Sequence, residues 1–183
     1  MLTPMSPSDI RQEVVKFSNY LKKKNLKITT QRLLIAEKIF SSKNHFRVED
    51  LFDLFKDKRD EISRATVYRT VALLVESGQL AEHDFGQASK FYEFCPTARE
   101  HHDHIVCLDC GNIEEFYDSK IEKIQSEIIK KFDYELVDHS LNLYGKCIQL
   151  KTTGFCSKKN SKQEKIQEQG NTENSVNSQN HPK

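Results

Sequence analysis

Apolar residues recur at helical spacing through the first half of the chain. Ile10, Val14, Phe17 and Leu21 step by four, three and four, which predicts a helix over about 8–25, capped at Ser8-Asp9. Thr29 to Arg32 open a second helix with Leu33, Leu34, Ala36, Ile39 and Phe40 on its buried side. After a polar break at 41–45, a third helix over about 48–55 turns Leu51, Phe52 and Phe55 inward. A charged turn at 56–61 follows. Ser63 is then the N-cap of a helix over 64–77 that stops at Gly78, with Val67, Val71, Leu73 and Leu74 facing the core. Residues 79–83 and 89–94 alternate as two strands joined through 84–87. Further on, short strands are predicted at about 104–107 and 112–116. Asp118 caps a helix to Phe132 with Ile121, Ile124, Ile128 and Phe132 as its stripe. Residues 135–150 alternate, with Leu136, Leu141, Leu143 and Ile148 as candidates for an inner face.

A short helix, a turn and a capped helix make a helix-turn-helix, whose second helix enters the major groove; the hairpin after it reads as a wing. The fold class is therefore α+β. Residues 1–94 form an N-terminal winged helix-turn-helix domain that binds DNA, and 95–100, with Pro96, form a hinge. Residues 101–156 form a smaller α+β domain, and 157–183, rich in Lys, Gln, Asn, Glu and Ser, form a disordered polar tail. The second domain has a thin core, so a metal and a subunit partner are its expected stabilisers.

Charge sharpens the picture. The net charge is only +1, yet residues 11–47 hold ten Lys and Arg against two acids, Glu13 and Glu37. A patch of that kind is an electrostatic footprint for phosphate. No long apolar run exists to span a membrane, and the N-terminus lacks the basic-then-apolar order of a secretory signal. Five cysteines, an odd count without such a signal, point to a reducing cytoplasm and to thiolates available for metal.

The densest chemistry lies in ten residues, His101 to Cys110, which hold three histidines, two aspartates and two cysteines. His101-His102-Asp103-His104 is a nitrogen and oxygen set, and Cys107 with Cys110 is a sulfur pair with the spacing of a zinc knuckle. In an extended segment, His102 and His104 share one face while His101 and Asp103 share the other, so one tetrapeptide could supply two metal sites. Ordinary surface or core histidines are the competing reading. A hydrolytic zinc centre is the enzymatic reading of the same cluster. It lacks an evident nucleophile or general base, and the order His-x-His-x-Asp-His is absent, so no enzyme and no small organic substrate are expected.

Over about residues 21–147 the chain resembles the ferric uptake regulator superfamily of bacterial metal-dependent repressors. The resemblance rests on Leu26-Lys27-Ile28-Thr29 with Arg32, on Ala65-Thr66-Val67-Tyr68-Arg69-Thr70, on the run from His101 to Gly111, and on Leu143-Tyr144-Gly145-Lys146-Cys147. It implies a winged helix followed by a dimerisation domain, and a homodimer, with a tetramer as a further assembly, on a double-stranded AT-rich palindromic operator. It implies a structural Zn(II) on Cys107, Cys110, Cys147 and Cys156. Eight residues separate the last two, a longer interval than the family's usual short one. It implies a regulatory site on His45, Glu93, His102, His104 and Glu115. That site takes Fe(II) in the cell, with Mn(II), Co(II) or Zn(II) as substitutes in vitro. An accessory site falls on His101, Asp103, Glu122 and His139. DNA contacts fall on Lys23, Arg32, Ser63, Thr66, Tyr68 and Arg69. Tyr68-Arg69-Thr70 and the carboxylates of Glu93 and Glu115 resemble the iron sensors of the family more than its peroxide sensors. Sensing of zinc or manganese is a competing specificity within the same family, and Cys95 beside Glu93 keeps a zinc or redox reading open.

Overall fold

The computed structural model describes residues 5–42, 45–96 and 101–158. Of the hinge expected at 95–100 and the tail expected at 157–183, residues 97–100 and 159–183 lie outside the described residues, as does the start of the N-terminal arm. The chain divides into two units, Met1–Arg99 and Glu100–Lys183.

The first unit carries α1 (Pro7–Lys23), α2 (Thr30–Phe40), α3 (Val48–Asp53), α4 (Arg64–Glu76), β1 (Leu80–His83) and β2 (Phe91–Phe94), with one 3-10 turn at Lys56–Lys58. The cap of α1 is Ser6, not Ser8-Asp9. Pro7 takes the first helical position, and Asp9, three residues after the cap, returns a carboxylate to the Ser6 N–H at 3.1 Å while the Ser6 hydroxyl accepts the Asp9 N–H. Proline and a reciprocal capping pair make residue 6 the better start. At α4, the Ser63 hydroxyl accepts the Thr66 N–H at 3.2 Å, and Gly78, at φ 77°, turns the chain out of the helix.

Phe17, Leu21, Ile35, Ala36, Ile39, Phe40, Val67, Val71 and Leu74 are buried together, each large side chain contributing about 1.5–3 kcal/mol of transfer free energy. Ile35 holds the place expected of Leu33 and Leu34, which are half-buried. Positions 35, 36, 39 and 40 centre the stripe of α2, and 33 and 34 lie at its margin. The wing is an antiparallel hairpin with Ala81 opposite Glu93 and His83 opposite Phe91. Phe46 bridges to Tyr92, exchanging backbone hydrogen bonds of 3.0 and 2.8 Å, and so lays the segment before α3 along β2.

The second unit has a three-stranded sheet. Its central strand β3 (Asp103–Cys107) runs antiparallel to β4 (Ile113–Phe116) and parallel to β5 (Asn142–Gly145). Asp118 caps α5 (Ser119–Lys130), accepting the Lys120 N–H at 2.8 Å. The alternation over 135–150 produces only the four residues of β5. Leu143 is exposed, and Ile148, 79% exposed, heads a short helix α6 (Ile148–Thr153) instead of an inner face. The Cys147 sulfur accepts the Leu150 N–H at 3.4 Å and starts that helix, so local capping overrides the alternation. The α5 stripe is also not inward in the single chain. Ile124, Ile128 and Phe132 are exposed, and α5 buries no residue. Among residues 101–158 only Asp103, His104, Val106 and Cys156 are buried.

Candidate functional site

In the first unit, the bridge between Phe46 and Tyr92 sets His45 beside Glu93. His45 Nε2 lies 3.3 Å from Glu93 Oε2, and Glu93 is 2% exposed. A second imidazole reaches the same oxygen: His83 Nε2 is hydrogen-bonded to Glu93 Oε2 at 3.2 Å. The His83 ring stacks flat on the buried Phe85 ring, at 5.4 Å between centroids and 4° between planes. Sequence reasoning placed His83 only at the end of a strand. The signal that marks it is the period of two, which puts residues 81 and 83 of β1 on the face that 91 and 93 of β2 share.

In the second unit, the two sides of the histidine run separate. His102 and His104 bring their rings to 5.0 Å, edge to face. Glu115 sits opposite His104 across the pairing of β3 with β4, so its side chain shares that face of the sheet. On the other side, His101 Nε2 is 3.3 Å from Asp103 Oδ1 and 3.8 Å from Glu122 Oε1, and His139 Nε2 is 3.2 Å from Glu122 Oε2. One ligand atom from each of these four residues lies within 4.8 Å of all the others. Asp103 Oδ2 and Glu122 Oε1 are buried without a hydrogen-bond partner in the protein, and His139 Nε2, though 3.2 Å from Glu122 Oε2, is not aligned to bond to it. Buried, converging and unsatisfied donors of this kind fit a divalent cation, since each would otherwise bear an uncompensated desolvation cost.

The thiols form a third cluster. Cys147 Sγ lies 3.5 Å from Cys156 Sγ, and Cys110 contacts both Cys107 and Cys156. Burial pushes the Cys110 thiol up to about 11, and its two cysteine neighbours push the same way. Burial also works upward on Cys107, but the backbone N–H groups of Cys110 and Asp109 outweigh it and hold that thiol below its ordinary value. Asp109 Oδ2 accepts the Cys147 N–H at 2.8 Å and ties the knuckle to the start of α6. Gly154, left-handed at φ 71°, ends α6 and turns the chain back, so the eight residues after Cys147 return Cys156 to it. Thiols linked in this order, Cys107 to Cys110 to Cys156 to Cys147, offer the soft donors that a thiophilic ion such as zinc takes.

The family model of the ferric uptake regulators matches residues 23–144. This chain belongs to the ferric uptake regulator family. The ferric uptake regulation protein of Haemophilus influenzae is 42% identical over 143 residues, 78% of this chain and 94% of that protein. Among solved structures, the Helicobacter pylori ferric uptake regulator, described as having three functional metal-binding sites, is similar at a TM-score of 0.74 with 27% identity. The match covers 85% of this chain and all of that one. The Francisella tularensis ferric uptake regulator solved with iron is similar at 0.63, with 33% identity over 69% of this chain and 95% of that one. The α+β class, with a DNA-binding N-terminal unit and a C-terminal dimerisation unit, is the fold of these regulators. Members of the family are transcription regulators, not enzymes.

The helix expected to enter the major groove is α4. Its Tyr68 and Arg69 are exposed, Thr66 is half-buried, and Thr70 is buried, with its hydroxyl on the Thr66 carbonyl. The Tyr68 hydroxyl donates to the Glu49 carboxylate of α3, which keeps that acid below its ordinary range. Arg32, Thr66 and Arg69 line a pocket of about 340 Å³ together with Lys27, Thr29, Gln31 and Glu61. Ser63 stands at the N-terminus of α4, and Lys23 is the last residue of α1. Lys27 and Gln31, to which the sequence assigned no role, stand in that pocket beside Arg32, whose guanidinium donates to the Lys27 carbonyl.

Proposed function

We propose that this protein is an Fe(II)-responsive, DNA-binding transcriptional repressor of iron-homeostasis genes. It acts as a dimer, with a tetramer as a further assembly, on AT-rich palindromic operators in the cytoplasm. One observation supports the metal reading most: imidazole and carboxylate donors converge within 4.8 Å on one side of the segment from His101, while thiols converge beyond its C-terminal end. Hard and borderline donors hold exchangeable Fe(II), with Mn(II), Co(II) or Zn(II) as substitutes, and soft thiolates hold a permanent Zn(II). Cys107, Cys110, Cys147 and Cys156 are the ligands of the structural zinc. His101, Asp103, Glu122 and His139 hold the accessory ion.

The regulatory ion draws on His45 and Glu93 from the first unit and on His102, His104 and Glu115 from the second. Because its ligands come from both units, occupancy of this site and affinity for DNA are linked, and the linkage is reciprocal. Thr66, Tyr68 and Arg69 read the major groove. Ser63 and Arg32 contact phosphates, and Lys23 reaches the backbone or minor groove. A dimer also explains the apolar surface of the second unit, where Ile124, Ile128, Phe132 and Tyr134 are exposed on or just after α5 in the single chain.

Titration of the anaerobic protein with Fe(II) or Mn(II), followed by fluorescence anisotropy of a labelled palindromic duplex, tests the proposal. DNA affinity is expected to rise by about 5- to 150-fold on loading, the usual range of coupling between two sites. Affinity that does not depend on metal would remove the mechanism.

A further inference from the structure

Three residues of the first unit meet at one carboxylate oxygen, and only two of them have a role in the regulatory site described above. Glu93 Oε2 has His45 Nε2 at 3.3 Å and His83 Nε2 at 3.2 Å. We propose that His83 is a positioning residue of the regulatory metal site: its ring N–H holds the Glu93 carboxylate in the orientation that metal binding uses, without itself becoming a ligand. This inference rests on Glu93 serving that site, as proposed above.

The geometry separates the two imidazoles. The His45 side chain is 4% exposed, whereas about one-fifth of the His83 side chain is open to solvent. The His83 ring is held from behind. Phe85 stacks on it in parallel, and Phe85 is itself packed against Phe91 at 5.7 Å. The hairpin register makes residue 83 a diagonal neighbour of residue 93 on one sheet face. A ring fixed by stacking and aimed at a carboxylate leaves that carboxylate little rotational freedom. In its Nε2–H tautomer, His83 donates to the same oxygen that faces His45 Nε2, and so fixes where that carboxylate stands relative to His45. Partners of this kind, behind a ligand, alter metal affinity by about 10- to 100-fold when removed.

The experiment uses the full-length protein with its structural zinc retained. Co(II) is titrated anaerobically into the wild type, His83→Ala and His83→Gln, and the visible d–d bands and dissociation constant are read together. The expected result is a regulatory-site affinity weakened by about tenfold or more in His83→Ala, with band positions and zinc content unchanged. In His83→Gln, where an amide N–H can reach Glu93, most of the affinity should return.

An affinity within twofold of wild type in His83→Ala overturns the role. So does a shift of the bands in that variant toward lower coordination, which would make His83 a ligand. Loss of bound zinc or of the far-UV circular dichroism in His83→Ala, with no rescue by His83→Gln, would assign the residue to the fold alone. Wild-type protein that takes up no second ion would overturn the regulatory site itself, an outcome distinct from all of these.

Discussion

At the scale of single residues, protonation decides what the thiol cluster can hold. Cys110, driven to about 11 by burial with Cys107 and Cys156 pressing the same way, keeps its proton throughout the neutral range in metal-free protein. A zinc ion bound there must displace that proton, so affinity falls as pH falls. The slope is about tenfold per pH unit for each proton released. Competition with a chromogenic chelator between pH 8 and 7 should therefore show zinc held at least tenfold less tightly at the lower pH, and a flat profile would remove Cys110 from the ligands. Glu13 shows how a residue can mislead when read locally. On α1 it looks like part of a solvated face, yet it is buried, its Oε2 accepting from Gln79 Nε2 at 2.9 Å and its Oε1 accepting from Lys16 Nζ at 2.6 Å. One of its two partners, Lys16, lies within the helical period, but the other, Gln79, stands 66 residues away.

At the scale of elements, the helices whose signals are local follow the sequence closely. Ser63 and Gly78 bracket α4 because a hydroxyl at the cap and a residue free to take positive φ act within one turn. Helix α5 was legible as an amphipathic helix, but not in what its stripe faces. A helix needs an apolar partner, and the single chain leaves Phe132, just past its end, 69% exposed. Substituting Ile128→Glu or Phe132→Glu should leave the helical content and the stability of the isolated subunit within about 0.5 kcal/mol, since neither side chain is buried in it. The dimer should nonetheless dissociate. Sedimentation velocity checks this, and a variant that remains dimeric at micromolar concentration would move the interface away from α5. The segment after α5 reads differently. Its alternation was real as a pattern, but pairing with β3 uses four residues and the Cys147 cap then turns the chain into α6.

For the whole molecule, two kinds of metal site imply two kinds of failure. His102→Ala should abolish the rise in DNA affinity on Fe(II) or Mn(II) loading while leaving zinc content and melting temperature near wild type. Cys107→Ser should release zinc and, with it, the second unit's fold or its dimer, because only four of residues 101–158 are buried and the core there is too thin to stand alone. Anisotropy, elemental analysis and thermal unfolding on the same two variants separate these outcomes. Equal losses in both would contradict the division into an exchangeable site and a permanent one.

Short-range physics was readable from the residues in order. Capped helices, a strand of period two and the donor chemistry of imidazoles, carboxylates and thiols all act within a few positions of one another. The period of two alone separated His101 and Asp103 from His102 and His104, because successive side chains of an extended segment must point apart. Long-range placement came only with folding. The strand register brought His83 to Glu93, the return of the chain after α5 set His139 against Glu122, and the turn at Gly154 carried Cys156 to Cys147. Each of these pairs is distant in sequence or separated by an irregular turn. Its proximity depends on strand pairing and packing, which no local periodicity encodes.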